Sequence, residues 1–297
     1  MRLNKAPIFI NGFSYGGTNL LMNFIASHPK VCLLSGETHE IFYSRPKKVF
    51  DKWLRRCLYL PIQAAAGRHV FGRRFLHNRN HTPRFVMPYI DLIFYLDKIT
   101  TSRNRFKAEG LNHNKSGVKK CRFLAKNVNG VVLATGIFAE IYPDATFIAL
   151  VRNGFSLCEG YIRRGWSAAD FGRMYEKVCQ KMIRDTDHIR NYHLVRFEDL
   201  ISDPVAFITN TYGFAGLDLN EVNRFRLQAK RSMDTDGIRK YTFGGSKDRE
   251  IYWFTIDEIP KYVRKDVNAS QLQKLMPEAR DIFLQYAGRS MEYLKYI

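Results

Sequence analysis

The chain has 297 residues, a length that allows one large domain or two, and its 45% hydrophobic content is typical of a globular protein. The net charge of +19 indicates an anionic partner, such as nucleic acid, an acidic membrane, an acidic polymer or a polyphosphate cofactor. The five scattered cysteines form no C-x-x-C pair, which argues against zinc and fits a reducing compartment. The first apolar run ends at Asn11-Gly12, too short for a membrane span, so we expect a cytoplasmic protein. A Golgi lumenal domain without its anchor would look the same.

Most of the positive charge lies between residues 44 and 126, a segment that contains 20 Lys/Arg and only 4 Asp/Glu. Such a run is either a solvated surface or a basic wall that attracts an acidic substrate. We interpret residues 44–118 as a basic, mainly helical insertion, with one helix from Phe85 to Leu96. The whole chain, 1–297, is expected to form a single α/β domain that ends in a helical part, 206–297.

The stretch from Ile8 to Leu21 predicts a strand, a glycine-rich turn and a helix. Loop amides and a helix N-terminus in this order favour a bound phosphate. Gly12 and Gly17 have the P-loop spacing, but Thr18 occupies the lysine position and Asn19 the position of the metal-binding Ser/Thr. We therefore expect a phosphate-binding loop that uses no metal.

Short apolar runs and helical patterns alternate along the rest of the chain, which predicts a parallel β-sheet flanked by helices. Further strands are expected at Val31–Leu34, Phe123–Asn127, Ala145–Val151 and His193–Phe197. Further helices are expected at Ile137–Ile141, after Arg152 as far as Arg164, and at Ala168–Asn191. Asp203-Pro204 is expected to cap another helix, and a last one is expected at Ser270–Ala287, broken or restarted at Pro277 and stopped by Gly288.

Polar residues follow several of these strands, at the edge where parallel sheets bind ligands. Glu37 follows the second strand and is the first candidate for a general base, with His39 and Glu40 as rivals. Lys126 and Arg152 end their strands, and a cation at Arg152, where nucleotide triphosphatases place a metal-binding acid, favours direct binding of phosphate. Glu198-Asp199 are expected to anchor loops or to cap the following turn rather than to catalyse.

Four blocks of this chain resemble the sulfotransferases that use 3'-phosphoadenosine-5'-phosphosulfate (PAPS). They are Gly12–Leu21, Gly36–Thr38, Tyr142–Gly154 and Leu194–Pro204, spread over residues 5–43 and about 120–205. The resemblance implies a PAPS co-substrate whose 5'-phosphosulfate is held by Gly12, Phe13, Ser14, Tyr15, Gly16, Gly17, Thr18 and Asn19. It implies that Arg152, with Ser156 or Arg164, holds the 3'-phosphate. Glu37 corresponds to the base of tyrosylprotein sulfotransferases, with His39 and Lys126 as further catalytic candidates.

The sequence departs from the family pattern in two places. Tyr15 and Gly16 stand where the family has Lys or Arg and then Ser, so Lys126 or a residue of the insertion would have to supply the missing cation. Gly160 stands where the family has a Ser of the 3'-phosphate site, and Ser156 or Tyr161 would have to replace it.

The sequence leaves three functions open. The first is transfer of a sulfuryl group to a hydroxyl acceptor, expected to be a carbohydrate, possibly an acidic one, although a tyrosine-containing peptide also fits. The second is a P-loop kinase or nucleotidase. The third is a non-catalytic protein that binds nucleotide or an acidic polymer; nucleic acid is the less favoured partner.

Overall fold

The computed structural model describes residues 2–43, 53–57, 86–101, 115–229, 250–263 and 265–297. Much of the predicted basic insertion, at 44–52, 58–85 and 102–114, lies outside the described residues. Within the described ranges, no helix combines the length and the apolarity needed to span a bilayer.

Five parallel strands form the central sheet, in the order β2-β3-β1-β4-β5. They are β1 (Ile8–Gly12), β2 (Val31–Leu33), β3 (Arg122–Val128), β4 (Thr146–Val151) and β5 (Tyr192–Arg196). The predicted α/β class with a parallel sheet is therefore confirmed. Because β1 lies between β3 and β4, the strand order changes direction beside it, and its carboxyl end is the place where such sheets bind ligands.

The helices lie on both faces of this sheet, and residues 53–57 form one further helical turn. They are α1 (Thr18–Ala26), α2 (Thr38–Tyr43), α3 (Met87–Thr100), α4 (Lys115–Lys120), α5 (Thr135–Ile141), α6 (Gly154–Ile162), α7 (Ala168–His188), α8 (Phe197–Ser202), α9 (Pro204–Ala215), α10 (Ile259–Tyr262), α11 (Val267–Leu272) and α12 (Pro277–Tyr293). Short 3-10 helices occupy Asn129–Ala134, Leu219–Glu221 and Ile256–Glu258. Asp203 caps α9 through a bond from the Ala206 amide to its Oδ1 (3.0 Å), as predicted.

The core has two layers because successive strand residues point to opposite faces. On one face, Phe9 stacks on Phe138 and Phe147, with ring centroids 5.0 Å apart in both pairs. On the other face, Ile8 and Ile10 pack in the cluster that holds α1 and α9. Helix α3, from the basic segment, belongs to the first layer, where the fully buried Phe94 meets residues of β1 and β3.

The C-terminal part differs from the expectation in two ways. The region predicted to be helical from residue 206 also contains an antiparallel pair, β6 (Phe225–Ala229) and β7 (Glu250–Phe254). Helix α12 does not stop at Gly288 but continues to Tyr293. The reason is packing, since Phe283, Ala287 and Met291 keep one buried face against the core on both sides of the glycine.

Candidate active site

The predicted phosphate loop joins β1 to α1 at the carboxyl edge of the sheet. A Cβ on Gly12 would lie 2.8 Å from Thr18 Cγ2 and 2.9 Å from the Leu150 carbonyl oxygen, so the loop passes too close to its neighbours for a side chain. Gly17 precedes α1 with a φ of 92°, and no side chain caps the helix. The amides at this helix N-terminus therefore face a place that favours an anion.

Asn129, which sequence reasoning did not single out, braces the loop from the end of β3. Its Oδ1 accepts from the Ser14 amide (3.0 Å) and from the Tyr161 hydroxyl (2.7 Å), and its Nδ2 donates to Ser14 Oγ (3.2 Å). Burial raises the pKa of Tyr161 to about 12, while the bond to Asn129 opposes the rise. Tyr161 therefore acts as a neutral hydroxyl that fixes the loop. The only sequence signal for Asn129 was its place at a strand end.

Three predicted catalytic residues lie together beside the loop. Lys126 Nζ is 2.7 Å from Glu37 Oε1 and donates to Asn19 Oδ1 at 2.6 Å. His39 Nδ1 lies 3.5 Å from Glu37 Oε2. The side chain of Lys126 is 8% exposed and that of Glu37 is 23% exposed, so a largely buried cation holds a carboxylate that solvent or a substrate can reach.

A chain of buried hydrogen bonds underlies this cluster. Thr38, the first residue of α2, donates to Asn127 Oδ1 (2.6 Å), and Asn127 Nδ2 donates to Asn11 Oδ1 (3.0 Å). Asn11 in turn donates to Thr135 (2.9 Å) and to Tyr192 (3.2 Å). Since buried polar side chains need their partners, this chain fixes the segment that carries Glu37 to the strand that ends in the phosphate loop.

Arg152 follows β4 and is only 4% exposed. Its Nη1 donates to the Tyr15 carbonyl oxygen and its Nε to Asn268 Oδ1, both at 2.8 Å, and its Nη2 donates to Gln271 Oε1. The guanidinium carbon lies 4.5 Å from the centre of the Phe197 ring. Burial lowers the pKa of Arg152 to about 10, with Glu198 opposing the shift, so the side chain stays charged at neutral pH.

The other residues predicted for the 3'-phosphate lie on α6 and just beyond it. Ser156 is fully buried, and its hydroxyl donates to the Asn268 carbonyl oxygen (3.3 Å). Arg164 is exposed, donates to the Gly160 carbonyl oxygen and places its guanidinium carbon 3.6 Å from the centre of the Tyr15 ring. The loop thus contacts both groups of candidate residues. Asn19 accepts a hydrogen bond from Lys126, and Tyr15 contacts Arg152 through its carbonyl oxygen and Arg164 through its ring.

Glu198 anchors the surroundings of Arg152. Its Oε1 accepts from the Asn153 amide (3.0 Å) and from Asn268 Nδ2 (2.7 Å), and its Oε2 accepts from the Tyr296 hydroxyl (2.7 Å). This anchoring agrees with the role inferred for Glu198 from the sequence. Sequence reasoning missed Asn268, Gln271 and Tyr296, which come from the far end of the chain. Among the residues that the structure describes, no group of three or more His, Cys, Asp or Glu is placed to hold a metal ion.

Solved structures similar to this chain are sulfotransferases, although the similarity is weak. The chain is similar in structure to the sulfotransferase domain from the Synechococcus PCC 7002 olefin synthase, with 19% identity, 96% of both chains covered and a TM-score of 0.47. It is also similar to sulfotransferase STF1 from Mycobacterium tuberculosis H37Rv, with 20% identity, 74% of this chain and 70% of that chain covered, and a TM-score of 0.40. Since both TM-scores are below 0.5, they carry no weight in the assignment, and no curated protein sequence matches the chain.

The sequence match to the family is the stronger finding. The model described as "Sulfotransferase family" matches residues 7–221, which is well over half of the chain. The match includes the glycine loop, the segment with Glu37, strand β3 with Lys126 and Arg152 just after β4. It favours sulfuryl transfer over the kinase that the sequence had left open. The chain belongs to the sulfotransferase family and is a sulfuryl-transferring enzyme.

Proposed function

We propose that this enzyme moves the sulfuryl group of PAPS to a hydroxyl of a carbohydrate acceptor, with Glu37 as the general base. One observation carries the proposal: Lys126 contacts Glu37 and Asn19 together, so a base and a cation lie beside the N-terminus of α1. A phosphosulfate at that N-terminus would have both groups next to its reacting end.

The loop from Gly12 to Asn19 fits the 5'-phosphosulfate. Side chains are excluded at Gly12 and Gly17 by close neighbours, which leaves backbone amides to line the turn. PAPS supplies the sulfuryl group and leaves as 3',5'-adenosine bisphosphate (3',5'-ADP). Arg152 and Arg164, on the other side of the loop, are the proposed partners of its 3'-phosphate.

Glu37 has the chemistry and the access that a base needs. Its carboxylate accepts the proton of the attacking hydroxyl, and Lys126 is placed to offset negative charge that develops near Asn19. His39 lies 3.5 Å from the second carboxylate oxygen of Glu37 and remains the rival base. Holding both reactants in line lowers the barrier further, because the reaction no longer depends on chance encounter.

A carbohydrate is the proposed acceptor because such polymers carry many hydroxyls and are often acidic. The net charge of +19 would draw an acidic chain to the enzyme. A tyrosine-containing peptide is the second candidate, on the basis of the Gly36-Glu37-Thr38 block.

The test measures release of 3',5'-ADP from PAPS in the presence of neutral oligosaccharides, acidic oligosaccharides or tyrosine peptides, with mass spectrometry of the acceptor. With the best acceptor, Glu37→Gln should lower turnover by roughly 100-fold or more. Calorimetry should show unchanged binding of 3',5'-ADP. Glu292→Gln, an exposed carboxylate on α12, is the matched control and should retain full turnover.

The outcomes separate the parts of the proposal. If Glu37→Gln keeps its turnover while His39→Gln loses it, the base is His39. If only peptides become sulfated, the carbohydrate assignment is wrong. If the wild-type protein binds Mg-ATP in preference to 3',5'-ADP, PAPS is not the co-substrate.

A further inference from the structure

Helix α3 presents an apolar side to the outside of the protein. Tyr89, Leu92 and Leu96 are 51%, 39% and 39% exposed, and their spacing of three and four residues places them on one side of the helix. Over residues 87–100, no charged side chain stands on this outer side. A helix at the surface of a globular protein normally carries its charged residues outward, so the outer side of α3 is unusual.

The charged residues of α3 are all buried instead. Asp91 accepts from the Tyr142 hydroxyl (3.0 Å), and Asp97 accepts from the Ser35 amide (2.7 Å). Lys98 donates to two backbone carbonyl oxygens, at 3.1 and 3.2 Å. These bonds fix which side of α3 faces the core, so the helix cannot turn its apolar outer side inward without leaving buried charges unpaired.

Basic residues accompany this apolar side. In sequence, α3 lies within the segment 44–126, and two of the four acidic residues of that segment are the buried Asp91 and Asp97. The remaining charges of the segment are therefore almost all positive. In the structure, α4 packs beside α3 and exposes Lys119 and Lys120.

The helical turn at residues 53–57 adds exposed apolar side chains on the same side of the sheet. Trp53 is 61% exposed, and Leu54 beside it is also exposed. Arg55 donates to the Ile41 carbonyl oxygen (3.2 Å), which holds the turn against α2. Helix α2 packs in turn on α3 through two phenylalanine rings whose centroids are 5.6 Å apart. Tryptophan and tyrosine are enriched at the boundary between membrane and water.

We propose that the outer side of α3 docks on a membrane surface that contains anionic lipid. Tyr89, Leu92 and Leu96 enter the boundary between headgroups and acyl chains, and neighbouring basic residues contact the headgroups. Nucleic acid or an acidic polysaccharide would use the charge but not the apolar side. A second copy of the chain would cover the apolar side, but two chains with a net charge of +19 repel each other.

The experiment measures co-sedimentation of the protein with two kinds of vesicle, one of phosphatidylcholine alone and one of phosphatidylcholine mixed with phosphatidylserine. Binding should be roughly tenfold or more stronger to the mixed vesicles. It should weaken as salt is added, because salt screens the attraction between the basic residues and the headgroups. No nucleotide is present, so a failure here would leave the proposed function untouched.

A double variant separates the apolar contribution from the charge. Leu92→Gln combined with Leu96→Gln changes no charge, and it should weaken binding to the mixed vesicles by roughly tenfold or more. Its urea midpoint should match that of wild type because both side chains are exposed. Ile282→Gln, at an exposed isoleucine on α12, is the matched control and should bind like wild type.

Tryptophan fluorescence gives a second measurement. On addition of mixed vesicles, Leu92→Trp should show a shift to shorter wavelength beyond that of wild type, whereas Ile282→Trp should show no added shift. Equal binding by the double variant and wild type would mean that charge alone holds the protein, and the inference would be wrong. A dimer in light scattering that the double variant abolishes would instead identify a second copy as the partner. Absence of wild-type binding to the mixed vesicles would also refute the inference.

Discussion

Gly17, the last residue of the phosphate loop before α1, leaves no room for a side chain, and this gives a testable prediction. Its φ of 92° is a conformation that residues with a Cβ rarely adopt, and a Cβ there would lie 2.3 and 2.4 Å from two carbons of the Phe197 ring. The left-handed backbone costs an alanine roughly 1–2 kcal/mol. Displacing a buried ring adds roughly 1–3 kcal/mol. We therefore expect Gly17→Ala to lower the free energy of unfolding by roughly 2–5 kcal/mol.

The same substitution should disturb binding. The Phe197 ring lies against the guanidinium of Arg152, at 4.5 Å, so a displaced ring moves the proposed partner of the 3'-phosphate. We expect at least a tenfold loss of 3',5'-ADP affinity in protein that is still folded, which corresponds to roughly 1.4 kcal/mol or more.

Urea unfolding followed by circular dichroism measures the stability effect, and Gly213→Ala is the matched control. Gly213 lies inside α9, and a Cβ there meets no atom of the described chain within 4 Å. Alanine should therefore stabilise that helix by roughly 0.5–1 kcal/mol. Repeating Gly17→Ala in a Phe197→Ala background separates the two costs, because only the backbone cost of roughly 1–2 kcal/mol should remain. The reasoning fails if Gly17→Ala matches wild type, or if it costs the same in both backgrounds.

Three further predictions concern one buried and two half-buried polar groups. Thr38→Val should cost roughly 1–3 kcal/mol of unfolding free energy because Asn127 Oδ1 loses its donor, whereas Thr38→Ser should cost less; urea unfolding decides. Burial lowers the pKa of His193 from 6.5, so the unfolded state binds the proton more readily and stability should fall as pH drops below about 6.5. His193→Phe should remove that part of the pH dependence, and an unchanged pH profile would contradict it. Tyr296→Phe should cost roughly 1–3 kcal/mol by leaving Glu198 Oε2 without its hydroxyl donor, and an unchanged urea midpoint would count against this.

Local patterns were enough to predict the parallel sheet and to place several candidate residues at one of its edges. The apolar runs of β1 and β4 are buried along their whole length, so their hydrophobic residues marked them clearly. Glu37 and Lys126 were predicted to lie at the same edge because parallel strands end there together, and the structure places them 2.7 Å apart. The ends of buried parallel strands can therefore be located from the sequence, and residues at those ends can be expected to lie near one another.

Long-range contacts explain what the sequence did not predict. Asn268 and Gln271 carry no local signal, and they matter only because α11 folds back onto a residue more than a hundred positions earlier. The end of α12 was misplaced for a related reason. Glycine usually weakens a helix, but here the packing of Met291 beyond Gly288 outweighs a cost of about 1 kcal/mol.

The departure at Tyr15 shows how the loop obtains positive charge without a basic residue of its own. Tyr15 is 52% exposed and stands where the family resemblance expects Lys or Arg. Its ring supports the guanidinium of Arg164 at 3.6 Å, an arrangement worth roughly 0.5–1 kcal/mol at an exposed site. At the other end of the loop, Asn19 accepts from Lys126. One cation thus comes from beyond α6 and one from β3, so the charge that the loop sequence lacks is supplied by two neighbouring elements that the fold brings to its ends.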